Sequence, residues 1–267
     1  MPKKSKSAIK KQSKKKSNTK TDQIINPDNL QLLLVDEEHF RGYRLLSQDK
    51  LEAKRILYSK VNELLPILKK NKNISKIGIH FHRKTQNVSE WSIKDELEDT
   101  IEKYNWKNID YVNIGGGVPA EYKNFASSLL EGIFSKIFEL KKWLNSQKIK
   151  IIIEPGRYIA AYPVKLEANI KSIYEDNLII DCSVYNSAMD TFVAHIRLII
   201  EDEIVEEGKG KPYTIKGCTP DSMDIFRYRV FLKEKKVGDK IVFLNAGAYT
   251  YTTDFCNLPK LETIFVD

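Results

Sequence analysis

The chain has 267 residues, of which 42% are hydrophobic, so it can bury a substantial core in one or two domains. This composition excludes a chain that is disordered throughout. The net charge of +8 is concentrated at the N-terminus: the first 20 residues hold nine lysines and no acid, and without those nine lysines the net charge is −1.

Residues 1–26 form a lysine-rich segment with few large apolar side chains, and we expect a disordered tail there. Ile9 stands alone where a secretory signal would need an apolar run, so no export signal is predicted. Two interpretations of the lysines are open: a solubilising extension, or a basic arm that attracts nucleic acid or an anionic membrane through counterion release.

The three cysteines, Cys182, Cys218 and Cys256, are odd in number and widely spaced. This pattern predicts neither a disulfide framework nor a metal site built on paired cysteines. Together with the lack of an export signal, it predicts a cytoplasmic protein. No apolar run is long enough to cross a bilayer.

Strand-like and helix-like segments alternate between residues 30 and 153. The predicted strands are the short apolar runs Leu30–Val35, Ile77–His82, Tyr111–Ile114 and Ile151–Ile153. The predicted helices show apolar residues at helical spacing over Leu51–Leu68, Ile93–Ile101 and Phe125–Trp143. This alternation predicts an α/β domain over residues 27–160, built from consecutive β/α units around a parallel sheet or barrel.

The pattern changes near residue 160 to short stretches of alternating polarity. These stretches are Ile179–Asp181, Ala194–Leu198, Arg227–Phe231 and Lys240–Leu244. Alternation with a period of two is typical of strands that are buried on one face. The sequence therefore predicts an antiparallel β domain over residues 161–267.

The first motif at a strand end is the pair His80 and His82, whose side chains point to the same side of a strand. Three interpretations are open: a shared metal, although no third ligand is recognisable, a ring that lies flat on a planar cofactor, or a packed pair.

The glycine run Gly115–Gly117 follows the next strand, and Glu154 and Arg157 follow the last one. A glycine loop brings backbone N–H groups close to an anion. A carboxylate at a strand end can pair with a protonated ring nitrogen, and a guanidinium can grip a phosphate. The alternatives are a tight turn and a structural Glu–Arg pair.

The turn at residues 217–224 holds Asp221, Ser222 and Asp224. Acids on turns are usually solvated or capping groups. Beside a cofactor pocket, Asp221 is instead suited to bind a substrate ammonium. Tyr249, at the end of a predicted strand, has a phenol that suits a phosphate site.

Taken in order, these motifs resemble the pyridoxal-phosphate-dependent ornithine, diaminopimelate and arginine decarboxylases, which share the alanine racemase-like barrel. The resemblance covers roughly residues 27–267. It implies the last four units of a β/α TIM-type barrel, followed by an antiparallel β-barrel-like domain.

The resemblance also implies pyridoxal 5′-phosphate as the cofactor and assigns residues to it. His82 matches the ring-stacking residue and Glu154 the partner of the ring nitrogen, and the phosphate positions are Thr85, Gly115, Gly116, Gly117, Arg157 and Tyr249. Cys218 and Asp221 are the expected catalytic residues, and Asp221 and Tyr185 are expected to contact the substrate. The implied reaction is decarboxylation of an ornithine-like or lysine-like diamino acid, as in polyamine biosynthesis.

The sequence departs from the family pattern at three places. No lysine before His82 lies in the pattern of the family's Schiff-base lysine, so we expect the first four β/α units to be absent. Pro220 stands at the position of the family's catalytic cysteine, and Cys218 lies two residues earlier. Arg83 and Lys84 replace small residues before Thr85.

Three hypotheses follow. In the first, the chain is a decarboxylase that requires a complementary chain with the Schiff-base lysine and is inactive alone. In the second, it is a non-catalytic paralogue that regulates a full-length decarboxylase by heterodimerisation. In the third, it is a basic-tailed protein associated with nucleic acid or membrane. The expected partners are therefore a small amino-acid substrate and a second chain, in a homodimer or heterodimer.

Overall fold

The computed structural model describes residues 60–206 and 209–266. The predicted tail at residues 1–26, the predicted strand Leu30–Val35 and the start of the helix predicted from Leu51 lie outside these ranges. Residues 60–70 are helical and are called α1.

The first half of the described chain consists of β/α units. The elements after α1 are β1 (Gly78–His80), α2 (Ile93–Thr100), a 3-10 helix (Lys103–Asn108), β2 (Tyr111–Asn113), α3 (Leu129–Ser146) and β3 (Lys150–Ile152). The three strands form a parallel sheet in the order β1-β2-β3. Since parallel strands end at the same edge, the segments that follow them meet there.

Helix α3 covers this sheet through one apolar stripe. Its buried residues, Ile133, Ile137, Leu140 and Leu144, recur every three or four positions. Phe138, predicted on the same apolar face, is 63% exposed, because it lies outside that stripe. Phe125, predicted as the first residue of this helix, instead precedes it and pairs with Tyr122 in an isolated bridge.

The second half of the chain is a largely antiparallel sheet domain. Its elements are α4 (Arg157–Ala160), β4 (Leu166–Tyr174), β5 (Asn177–Ile180), α5 (Val184–Ser187), α6 (Asp190–Val193), β6 (Ile199–Ile200), β7 (Lys211–Lys216), β8 (Ile225–Leu232), β9 (Lys240–Leu244) and a 3-10 helix (Phe255–Asn257). The sheet order is β6-β9-β4-β5-β7-β8. Among the described strands of this second sheet, only the β5–β7 pair is parallel.

One predicted strand of this domain is wrong. Ala194–Leu198 is irregular, although Ile196 and Leu198 are buried and the residues between them are not. The alternation of polarity arises because Ile196 and Leu198 pack on the core. The segment is not a strand, because Arg197 between them bonds to a loop: its N–H donates to Asn124 Oδ1 and its carbonyl accepts from Lys123 N–H.

The two halves have separate apolar cores. One core contains β1–β3 with α2 and α3. The other fills the antiparallel sheet and also takes in Ala120 and Tyr122 from the first half. The segment after the glycine run therefore anchors the β/α units to the sheet. The expected architecture, a partial β/α barrel with a sheet domain behind it, is confirmed.

An ion-pair cluster reinforces this junction. Arg227 in β8 makes a two-pronged contact to Glu203, at 2.9 and 3.1 Å, and donates to the carbonyl of Leu198. Lys123 from the first half reaches the same Glu203 carboxylate at 3.0 Å. Burial alone would raise the pKa of Glu203, but hydrogen bonds from Arg227 and Lys123 outweigh it and lower that pKa. Within residues 60–206 and 209–266, no helix is both long and apolar enough to span a bilayer.

Candidate cofactor and substrate site

The ends of β1 and β2 meet through His82 and the glycine run. The backbone N–H of Gly116 donates to Nδ1 of His82 at 3.1 Å. Since Nδ1 accepts this bond, the proton of the neutral ring lies on Nε2. His82 is half-buried. The bond fixes the plane of the imidazole beside the loop, as a ring-stacking residue requires.

The end of β3 adds Glu154 to the same edge of the sheet. Its Oε1 accepts a hydrogen bond from the Asn113 amide at 2.7 Å, and its backbone N–H donates to the carbonyl of Gly115 at 2.8 Å. Its Oε2 lies 3.7 Å from Nε2 of His80. About half of the Glu154 side chain is exposed, so a carboxylate oxygen remains available to a ligand.

The glycine run is required for close packing. Gly115 and Gly117 have φ values of +66° and +87°. The backbone of a residue with a side chain is strained at such positive φ values. A Cβ on Gly116 would lie 2.7 Å from the carbonyl oxygen of Glu154. The close approach of His82, Glu154 and the loop therefore depends on bare backbone.

The loop amides are only partly available to a phosphate. Gly115 N–H donates to Asn113 Oδ1 and Gly116 N–H donates to His82. The N–H of Gly117 is not donated to any described residue. Two of the three glycine amides are therefore used by the protein, and the assignment of Gly115, Gly116 and Gly117 to the phosphate stays a prediction.

The segment after His82 is tied to the segment after the glycine run. Gln86 exchanges two hydrogen bonds with the backbone of Ala120, at 2.7 and 3.0 Å, and Asn87 N–H donates to the carbonyl of Gly117. Thr85 is exposed in this segment and forms no hydrogen bond with the described residues. Lys84 pairs with Glu90 at 2.6 Å, which offsets the extra positive charge noted in the sequence.

Arg157 is at the start of α4 but is held inside the protein. Its Nη1 donates to Asp190 at 2.5 Å and to the Tyr122 hydroxyl at 3.3 Å. The ring of Tyr249 lies over the guanidinium, 4.9 Å from its carbon. The structure thus brings Arg157 and Tyr249 together as predicted, and adds Asp190, to which the sequence analysis gave no role.

Asp221 and Tyr185 form a second cluster. The Tyr185 hydroxyl donates to Asp221, which raises the pKa of Tyr185 to about 12. The backbone N–H of Met223 and then the Tyr185 hydroxyl lower the pKa of Asp221, so this exposed carboxylate is ionised at neutral pH. The Tyr185 ring lies between Phe192 and Phe255, with centroids at 5.6 and 6.1 Å.

Cys218 is exposed on the same turn, at its start. Partial burial, followed by the nearby charge of Asp224, raises the pKa of its thiol, so the sulfur is protonated at neutral pH. The backbone N–H of Cys218 donates to the carbonyl of Cys182. No hydrogen bond among the described residues joins this second cluster to the cluster around Glu154.

Asp224 is the structural centre of the turn. It is buried and accepts hydrogen bonds from Val184 N–H, Thr219 N–H and the Thr219 hydroxyl, at 2.7 to 3.1 Å. The sequence predicted Asp224 only as one of the acids on this turn. Asn113 lies in the predicted strand Tyr111–Ile114, just before the glycine run, and that position was the signal that could have identified it.

The fold and the strand-end groups fit the class of proteins that hold a planar, negatively charged cofactor at the edge of a parallel sheet. Two family models agree with this class. Residues 56–161 match "Pyridoxal-dependent decarboxylase, pyridoxal binding domain", and residues 158–247 match "Pyridoxal-dependent decarboxylase, C-terminal sheet domain". The chain belongs to the family of pyridoxal-phosphate-dependent ornithine, diaminopimelate and arginine decarboxylases, as the motifs predicted.

Curated relatives cover about three quarters of this chain. It is 27% identical over 230 residues to a probable ornithine decarboxylase of Dictyostelium discoideum, covering 74% of this chain and 48% of that protein. It is 26% identical over 210 residues to antizyme inhibitor 2 of Xenopus laevis, covering 68% and 45%. The chain thus spans about half the length of the curated relatives it matches.

Solved structures share the fold at lower identity. The lysine/ornithine decarboxylase of Vibrio vulnificus, complexed with cadaverine, aligns with a TM-score of 0.59 at 22% identity, over 78% of this chain and 59% of that one. The arginine decarboxylase of Paramecium bursaria Chlorella virus aligns with a TM-score of 0.56 at 22% identity, over 74% and 56%.

The matching family models are named for pyridoxal, and the residues at this edge of the sheet fit pyridoxal phosphate in part. The exposed oxygen of Glu154 and the fixed ring of His82 suit the pyridine ring, and His80 contributes a buried Nε2 without a hydrogen-bond partner among the described residues. For the phosphate, Gly117 N–H has no acceptor among the described residues and the Tyr249 side chain is exposed, whereas Arg157 is paired with Asp190. No group of three or more metal-ligating side chains occurs within the described residues.

Proposed function

We propose that this chain forms the ring-binding part of a pyridoxal-phosphate-dependent decarboxylase of a basic diamino acid, together with a complementary chain that supplies the Schiff-base lysine. One observation supports this proposal above the others: Glu154, held by Asn113, and His82, held by Gly116, lie at one edge of the parallel sheet.

Pyridoxal phosphate, when bound, supplies an electron sink for the electrons that carbon dioxide leaves behind. Glu154 would hold the proton on the ring nitrogen, because its free oxygen can accept a hydrogen bond from that nitrogen. Asn113 keeps the carboxylate in place, and His82 would support the ring. The Gly117 amide and the Tyr249 phenol would hold the phosphate.

The second cluster supports a substrate that carries a distal ammonium. Asp221 is ionised and accepts a hydrogen bond from Tyr185, whose ring contacts Phe192 and Phe255. A carboxylate beside aromatic faces is a favourable environment for an alkylammonium. Cys218 keeps its proton at neutral pH and is the available donor on this turn, since Pro220 has no proton to give.

The test is a mixing experiment with a separately expressed chain that carries four β/α units and a strand-end lysine. We expect amine release from ornithine or lysine only when both chains are present, and loss of release when Glu154→Gln is used. Equal release by the lysine-bearing chain alone would contradict the proposal.

A second function is a non-catalytic paralogue that pairs with a full-length decarboxylase. It is favoured by Pro220 at the expected catalytic position and by the similarity to antizyme inhibitor 2, a relative named for an effect on another protein. It predicts that the tagged chain retains a purified full-length ornithine decarboxylase and changes its activity. Failure of the two proteins to associate would reject this alternative.

A further inference from the structure

Two of the three nitrogens of the Arg157 guanidinium are bonded or buried. The side chain is only 5% exposed, Nη1 is shared between Asp190 and Tyr122, and Nε is buried without a partner among the described residues. A two-pronged phosphate contact needs two adjacent nitrogens at one accessible edge. Each edge that includes Nη2 also includes Nη1 or Nε, so neither edge offers a phosphate two open nitrogens.

Tyr249 closes the face of the guanidinium. The ring centroid lies 4.9 Å from the Arg157 carbon, and a Cβ on Gly156 would lie 2.8 Å from the tyrosine hydroxyl. Tyr249 itself is 69% exposed, so it lies between Arg157 and solvent. A ligand that approaches from solvent therefore contacts the Tyr249 phenol before the Arg157 guanidinium.

Asp190 also removes most of the charge that would attract an anion. Its side chain is 8% exposed, and a buried carboxylate at 2.5 Å neutralises the guanidinium. A phosphate that approached Arg157 would meet the negative charge of Asp190, and like charges in a buried environment repel strongly. A small cavity lined by Tyr122, Asp190 and Thr250, among others, lies beside Asp190.

We propose that Asp190 is an internal competitor that keeps Arg157 from binding phosphate, so that Asp190 sets the phosphate affinity of the site. This inference rests on the proposed function for its biological ligand, the phosphate of pyridoxal phosphate. Phosphate reaches Arg157 only after the contact with Asp190 is released.

Inorganic phosphate is the probe that tests this inference, with pyridoxal phosphate and phosphate-free pyridoxal as further arms. Asp190→Asn keeps the size of the side chain and removes its charge. We expect Asp190→Asn to bind inorganic phosphate and pyridoxal phosphate roughly tenfold or more tightly than the unmodified chain, with pyridoxal affinity unchanged. The double variant Arg157→Gln with Asp190→Asn should lose that gain.

An equal or weaker phosphate affinity in Asp190→Asn would overturn the inference and make Asp190 a residue that orients Arg157. The proposed function is judged separately, by whether the unmodified chain binds pyridoxal phosphate. If Asp190→Asn does not fold, the unmodified chain is tested by NMR with labelled arginine. The Arg157 side-chain resonance should then be unmoved by inorganic phosphate, and a saturable shift would overturn the inference.

Discussion

The backbone N–H of Gly116 donates a hydrogen bond to Nδ1 of His82, and this contact joins two motifs that are 34 residues apart in the chain. His82, the predicted ring-stacking residue, and the glycine run, the predicted phosphate loop, therefore form one unit. A change in either one displaces the other.

Gly116→Ala should destabilise the chain and weaken pyridoxal phosphate binding. The added Cβ would lie 2.7 Å from the carbonyl oxygen of Glu154, so the loop must move away from His82. We expect a loss of about 1–3 kcal/mol in the free energy of unfolding, measured with urea. Gly132→Ala is the matched control, because nothing lies within 4 Å of its Cβ in α3, and it should stabilise the chain by about 1 kcal/mol.

His82→Ala should weaken pyridoxal phosphate binding by roughly tenfold, because the ring contact is lost and Gly116 N–H loses its acceptor. Absorbance titration measures the affinity. His195→Asn is the control: His195 is exposed with a φ of +52°, a conformation that asparagine tolerates, so affinity should not change. Equal affinities of the unmodified chain and His82→Ala would remove the ring-stacking role.

Asp224→Asn should cost about 2–3 kcal/mol of stability, because a buried acceptor of three hydrogen bonds becomes an amide with one oxygen. Urea unfolding followed by circular dichroism measures this. Asp221→Asn, three residues earlier and exposed, should change stability by less than about 0.5 kcal/mol. In the decarboxylase assay with both chains mixed, Asp221→Asn should have the larger effect of the two variants and raise the KM for the diamino acid. If the two variants were equally stable, the structural role of Asp224 would be wrong.

The strand-end motifs could be predicted because they depend on local pattern. Short apolar runs placed His82, Gly115–Gly117 and Glu154 at or just after the ends of strands, and parallel strands bring their ends to one edge. The partners of these residues could not be predicted in the same way. Asp190 meets Arg157 from a separate short helix 33 residues later, and no periodicity in the sequence marks that contact.

Alternation of polarity predicts a strand at Ala194–Leu198, but this segment is a loop that packs on the core. Ile196 and Leu198 are buried like strand residues, but the backbone between them bonds to Lys123 and Asn124. A strand is defined by its neighbour, and the neighbour lies far away in the chain.

The free energy of unfolding should fall at acid pH, because Glu203 becomes protonated there. Its pKa is lower in the folded chain than in the unfolded chain, where it is about 4.3. The stability that Glu203 contributes is therefore present above that unfolded value and is lost as the pH falls through the lowered folded value.

Glu203→Gln measures this contribution. At pH 7 it should cost about 1–3 kcal/mol of unfolding free energy, because Arg227 stays buried without a charged partner. The difference from the unmodified chain should shrink as the pH is lowered. Glu201→Gln, whose pair with Lys165 is exposed, should have little effect at any pH. A difference that does not depend on pH would contradict the linkage.

The central claim is that residues 60–266 carry the ring-binding half of a pyridoxal phosphate site. Titration of the purified chain with pyridoxal phosphate, followed by absorbance and then by borohydride reduction and mass analysis, tests it most directly. We expect saturable binding that is weakened by Glu154→Gln and leaves no reduced covalent adduct. The absence of saturable binding, or binding unaffected by Glu154→Gln, would contradict it.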